Sequence, residues 1–184
     1  MNSEIVVLAS GSPRRRQLLE QIGVPYQIHA VEVDESRLAR EAPMDLARRL
    51  ALAKAGEAWA ELSGANGNLV MGADTAVALD GMLFGKPRDS ADAIEMLTRL
   101  SGRTHLVFTA VAGVQEGERM IRQSASSVTF RRLSGMEISA YVGTGEPLDK
   151  AGAYAIQGLA AIFVERLEGS YSGVMGLPLY ETWE

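Results

Sequence analysis

The sequence predicts a three-layer α/β fold built on a mixed β-sheet. Two observations carry that expectation. Strand-like and helix-like segments intermix along the whole chain, and they are joined by hairpins as well as by longer crossovers. An apolar strand over residues 5–9 runs into Ser10-Gly11-Ser12 and then into a helix opened by Pro13, whose fixed φ suits the first helical position. Ser12 is the expected N-cap; Leu18, Leu19 and Ile22 form the apolar face, and Gly23 stops the helix. A second extended stretch, 26–33, leads to Asp34-Glu35. Pro43 opens a long helix to about Leu62, ended by the polar patch 63–68.

Residues 69–71 read as a short buried strand, and 72–75 sit between it and the next apolar strand. Segments 76–79 and 82–84 flank Asp80-Gly81, a hairpin signal. Asp89 caps a helix with the stripe Ala93, Ile94, Leu97 and Leu100. Runs 105–114 and 120–131, rich in Val, Thr and Phe, suit an antiparallel pair. Ser134-Gly135-Met136-Glu137 is a capping box for a short helix ending near Gly143. A loop over 146–158, a strand over 160–166 and a last helix near Ser172 complete the chain. No internal repeat or linker interrupts it.

Composition narrows the function classes. The 184 residues suffice for one sizeable domain or two small lobes with a shared core, and 47% apolar content describes a globule. No apolar run approaches the ~20 residues of a membrane span, and Met1-Asn2-Ser3-Glu4 has no basic leader, so neither a membrane partner nor export is expected. The balance of 18 basic to 23 acidic residues argues against a nucleic-acid partner. With no cysteine there is no disulfide, thiolate nucleophile or Cys-held zinc, and a cytoplasmic location is expected. His29 and His105 are the only histidines and share no metal spacing. Chemistry here falls to carboxylates, Arg, Lys and a hard metal ion.

The first helix is the richest candidate. Its free N–H groups and dipole attract anions, and its side chains lean back over that end. Ser10, Ser12, Arg14 and Arg15 therefore converge on a volume suited to a phosphate chain. An ordinary capped helix with a solvated basic turn is the alternative. Arg16 faces Glu20 as an expected surface pair. Gly81 to Lys86 is one residue short of a P-loop, with Pro87 where a magnesium-binding hydroxyl belongs.

Lys54 falls on the apolar stripe of Ala47, Leu50, Ala51 and Ala58, so its head either snorkels or emerges in a polar cleft. Asp74, at the end of a strand beside Gly72, suits a metal ligand or base, or merely caps a bend. Glu35 has a weaker claim of the same kind. Lys86 adds a cation in a rigid turn, and Gln157 offers the donor and acceptor that reading a base edge needs.

In order, residues 8–15, 32–35, 49–55, 72–75, 85–89, 101–104, 147–158 and 176–181 resemble the Maf family of nucleoside triphosphate pyrophosphatases, also called septum-formation inhibitors. The resemblance implies one domain over 1–184, with an elongated mixed sheet flanked by helices and an active-site cleft between two lobes. It implies cleavage of a nucleoside triphosphate between the α and β phosphates. Asp74 would be the catalytic carboxylate, sharing a divalent cation, magnesium or manganese, with Glu35. Ser10, Ser12, Arg14, Arg15, Lys54 and Lys86 would hold the phosphates.

Arg14, Thr75 and Gln157 match the branch resembling dTTP/UTP pyrophosphatases; the branch acting on 7-methyl-GTP carries Trp, Gln and Glu there. That second substrate and a non-catalytic nucleotide-binding regulator of septum formation stand as alternatives, and a homodimer is compatible with the family. Family members continue past the Leu-Pro-Leu-Tyr-Glu-Thr segment in a longer helix, whereas this sequence ends at Glu184.

Overall fold

The computed structural model describes residues 5–184; the leader reading at residues 1–4 lies outside them. Seven strands form one mixed sheet: β1 (Val6–Leu8), β2 (Tyr26–Ile28), β3 (Val70–Leu79), β4 (Met82–Phe84), β5 (Thr104–Gln115), β6 (Glu118–Phe130) and β7 (Val164–Glu168). The order is β2-β1-β3-β5-β6-β7, with β4 on the β1 side of β3. β1 runs parallel to both β2 and β3, while every other pairing is antiparallel. Helices α1 (Pro13–Gln21) and α2 (Pro43–Glu61) make the crossovers from β1 to β2 and from β2 to β3. Because these steps run in opposite directions, right-handed crossovers put the two helices on opposite faces. Accordingly Val6 and Leu8 pack with α1 residues Leu18 and Leu19, while Val7 and Ala9 pack with Ala58 of α2. The expected three layers result.

The long strands β3, β5 and β6 pass through two lobes. At one end Met71, Ala73, Val111 and Val114 join the cores around α1 and α2. At the other, Val77, Val107, Val128 and Phe130 pack with α3 (Ser90–Leu100) and α4 (Gly135–Val142). The elongated sheet is the shared spine. Local signals placed most elements. Asp89 Oδ1 accepts from Asp92 N at 2.8 Å, and the Ser134–Glu137 capping box closes in both directions.

Three expectations need correction. Residues 72–75 do not separate two strands: β3 is one continuous ten-residue strand, so Asp74 sits at its middle and not at an end. β2 stops at Ile28 instead of reaching Val33. Residues 159–163 coil as a 3₁₀ turn, because Arg131 N–H takes the carbonyl of Phe163 and the chain joins the sheet only at Val164. Two short helices, α5 (Tyr171–Met175) and α6 (Leu179–Trp183), follow. Among the described residues no helix is long and apolar enough to cross a membrane.

Candidate active site

On its β1 side, β3 pairs with β1 only at Val70 and Met71 and with β4 only at Val77 to Leu79. Residues 72–76 therefore face a notch in the sheet. The notch lies where strand order reverses across β1, the switch point at which open α/β sheets bind ligands. A cleft of about 660 Å³ opens there between the two lobes.

Residues after β1 form its first wall. Ser12 occupies the N-cap position of α1, but its hydroxyl makes no capping bond. Ser10 Oγ accepts from Ser12 N–H at 3.3 Å and from Arg15 Nη1 at 2.9 Å, which leaves its own proton to donate. Arg15 Nε donates to the Gly176 carbonyl at 2.9 Å. Gly176 ends α5 at φ +118°, a left-handed value that favours glycine. Burial lowers the pKa of Arg15, and Asp74 opposes that shift. Arg14 lines the same wall; burial lowers its pKa too, against the charge of Asp149.

The floor is a carboxylate–ammonium–carboxylate group. Lys54 Nζ donates to Asp74 Oδ1 at 2.7 Å and to Glu35 Oε1 at 2.6 Å. Its head thus emerges in a polar cleft, the second of the two options its sequence position left open. Close packing brings it there. α2 presents Ala47, Ala51, Ala55 and Ala58 to the sheet, and a Cβ on Gly72 would lie 2.3 Å from the Ala51 carbonyl oxygen. Glycine at that point lets the helix backbone rest on β3. Burial raises the pKa of Asp74 above 3.8, opposed by the nearby Lys54 and Arg15. Burial also pushes Glu35 up, but hydrogen bonding and charge from Lys54, with Lys86 and Arg15 behind it, bring it below 4.5 overall.

Lys86, Asp149, Lys150, Ala155 and Gln157 line the opposite wall. Gly152 N–H donates to the Gly85 carbonyl at 3.1 Å, tying the turn that carries Lys86 to the turn after Lys150. Thr75 Oγ1 lies 3.0 Å from Thr109 Oγ1, whose proton goes to the Gly173 carbonyl at 2.7 Å. Thr75 must then be the donor within the pair, so only its lone pairs face outward.

Ser10, Ser12, Arg14, Arg15, Glu35, Lys54, Asp74, Thr75, Lys86 and Gln157 therefore all line one cleft. The Arg16–Glu20 surface pair does not form. Glu20 accepts from the Tyr26 hydroxyl at 2.6 Å, and Arg16 Nε is buried without a partner among the described residues. Sequence reasoning also missed two contributors, Arg49 and Thr109. Arg49 grips Glu41 at 2.7 and 3.0 Å and the Ser36 carbonyl at 2.8 Å, fixing the loop that carries Glu35. Thr109 braces Thr75. Lys150 adds a cation paired with Asp149. Arg49 and Thr109 act through contacts distant in sequence, so no local signal revealed them.

A family profile described as Maf-like protein matches residues 5–184. The chain belongs to the Maf family. It is similar to curated Maf-family relatives each named dTTP/UTP pyrophosphatase. The one from Alkalilimnicola ehrlichii is 54% identical over 179 residues, covering 96% of this chain and 88% of that protein. The one from Chromobacterium violaceum is 48% identical over 184 residues, covering 98% and 92%. A third, from Symbiobacterium thermophilum, is 48% identical over 177 residues, covering 96% and 90%. Among solved structures, the Staphylococcus aureus Ham1 protein overlaps at TM-score 0.48 and 18% identity, over 81% of this chain and 85% of that one.

Proposed function

We propose that this chain is a cytoplasmic pyrophosphatase that cleaves UTP and dTTP between the α and β phosphates, releasing the monophosphate and pyrophosphate. The observation that carries the proposal is the gathering of Arg14, Arg15, Lys54 and Lys86 around Asp74 in one cleft. A triphosphate brings about four negative charges, and guanidinium forks and ammonium heads are the groups that neutralise them. Displacement at phosphorus asks for in-line positioning and charge neutralisation more than for covalent chemistry. The names of the relatives agree with that activity.

In the mechanism, Arg14, Arg15 and Lys86 hold the phosphate chain, and Ser10 and Ser12 donate hydroxyl protons to its oxygens. Lys54 fixes Asp74 through Oδ1. Oδ2, with no protein donor among the described residues, takes the proton of the attacking water. Burial strengthens Asp74 as a base, and its two cationic neighbours keep it ionised. Gln157, with Arg14 and Thr75 on the same cleft, selects a pyrimidine.

Asp74 and Glu35 also fit a hard divalent cation. Each carboxylate meets Lys54 Nζ through one oxygen and keeps its other oxygen free of it for a metal ion. Magnesium and manganese take one or two carboxylates and complete their shell with phosphate oxygens and water. Bound there, such an ion would withdraw charge from the phosphates and acidify a water.

The test is pyrophosphate release from a panel of UTP, dTTP, CTP, GTP and 7-methyl-GTP with magnesium or manganese. Release from UTP and dTTP is the expected result. Preference for 7-methyl-GTP would reassign the branch, and tight binding without release would make the protein a nucleotide sensor.

A further inference from the structure

Gln157 is exposed, and among the described residues its amide has no hydrogen-bond partner. Nothing bonded to the side chain sets its aim, so its backbone must. That backbone is held from below by two side chains outside the cleft lining. The N–H of Ala155 donates to the Tyr141 hydroxyl at 3.3 Å, and the N–H of Leu159 donates to Glu146 Oε2 at 3.1 Å. Tyr141 in turn donates to Glu146 Oε1 at 2.9 Å, so both anchors form one unit. Between them Gly158 N–H closes a turn onto the Ala155 carbonyl at 3.0 Å, with Gln157 inside it.

The unit is itself rigid. Tyr141 is buried on α4, edge-on to Phe163 with ring centroids 5.1 Å apart. Glu146 follows the left-handed Gly145, φ +79°. The fit to the turn leaves no slack: a Cβ on Gly158 would lie 2.4 and 2.5 Å from the two Glu146 carboxylate oxygens. The glycine after Gln157 is needed for this contact and not for an unusual φ.

We infer that Tyr141 and Glu146 are positioning residues for substrate selection, which clamp both ends of segment 155–159 and thereby aim the Gln157 amide at the base. This rests on the reading of Gln157 as the group that meets the base edge. Glu146 accepts at both oxygens, so a glutamine at 146 loses one acceptor, and a phenylalanine at 141 loses both of its bonds.

The experiment compares wild type with Tyr141→Phe, Glu146→Gln and Gly158→Ala for kcat and KM on UTP and GTP, with Tm alongside. Each variant is expected to raise KM for UTP roughly tenfold, the scale of one lost buried hydrogen bond, with kcat within about twofold. The UTP preference over GTP should fall by the same factor. Gly158→Ala, which keeps both anchoring residues in the chain but pushes the Glu146 carboxylate off the turn, separates clamping from bulk packing. A lower Tm with KM and preference unchanged in the variants that fold would overturn the inference, as would a fall in kcat at constant KM.

Should wild type release no pyrophosphate, calorimetric titration with UTP and GTP reads the same comparison as Kd. Wild type that binds both equally removes the role of Gln157 and the clamp with it. Intact discrimination in the variants of an active enzyme removes the clamp alone.

Discussion

The two ends of β3, β5 and β6 bury opposite kinds of chemistry. Toward β1 the strands carry Asp74 against Lys54 and Arg15, with alanines behind. Toward α4 they carry an aromatic cluster. His105, Phe130 and Tyr154 meet edge-to-face at centroid separations of 4.9–5.4 Å, and Tyr141 meets Phe163 at 5.1 Å. The polar atoms of the aromatic end stay neutral. Burial takes the His105 pKa down to about 4, and it pushes the Tyr141 and Tyr154 hydroxyls up. His105 Nε2 and the Tyr154 hydroxyl then share a neutral hydrogen bond of 2.9 Å.

Aromatic contacts add about 0.5–1.5 kcal/mol per pair beyond the area they bury, whereas desolvating ions costs more than pairing them usually returns. Stability and chemistry thus occupy opposite halves of the same strands. A substitution should therefore hurt one and spare the other.

The largest break of that symmetry is Asp74→Asn. It should lower kcat by roughly 10²–10⁴-fold, the scale of a lost general base, while the protein still folds. Full activity at saturating UTP would remove Asp74 from the role given to it. Its mirror image is Phe130→Ala, expected to cost about 3–5 kcal/mol in denaturant unfolding with kcat per folded molecule preserved. A large kcat loss in that variant would show the lobes to be coupled.

A smaller effect sharpens the specificity side of the cleft. Arg14→Trp combined with Gln157→Glu should move preference from UTP toward 7-methyl-GTP by about tenfold or more, read as the ratio of kcat/KM values; an unchanged ratio places base selection elsewhere. The smallest effect concerns pH. Because His105 has a folded pKa of about 4 against 6.5 in the unfolded chain, the unfolded state binds more protons between those values. Stability is then full above pH 6.5 and falls on acidification toward 4, by at most about 1.4 kcal/mol per pH unit. His105→Gln should flatten that slope in urea titrations at pH 7.5 and 5.5, and an unchanged slope would mean other groups carry it.

What the sequence made legible is what neighbours along the chain decide. Pro13, Pro43, Asp89 and Ser134 announced four helices because capping and proline geometry act within one turn. Asp80-Gly81 announced its hairpin in the same way. Residues 72–75 misled for the converse reason: Gly and Asp read locally as turn formers, while the approach of α2 and pairing with β5 hold them extended. In the site, the charged residues were visible because ammonium and carboxylate groups on apolar stripes need an explanation. The supports were invisible. Arg49 on Glu41, Thr109 on Thr75 and Tyr141 on Glu146 are ordinary residues until the fold brings them together.

The notch in β3 has one more consequence. Over residues 72–76 one side of the strand forgoes its ladder, leaving peptide groups in the state that makes sheet borders sticky toward foreign chains. Here that raw margin faces the cleft, between the serines after β1 and the turn at Lys86. An edge that would otherwise invite a strand thereby lines the site, and its idle amides and carbonyls are left free for a small guest.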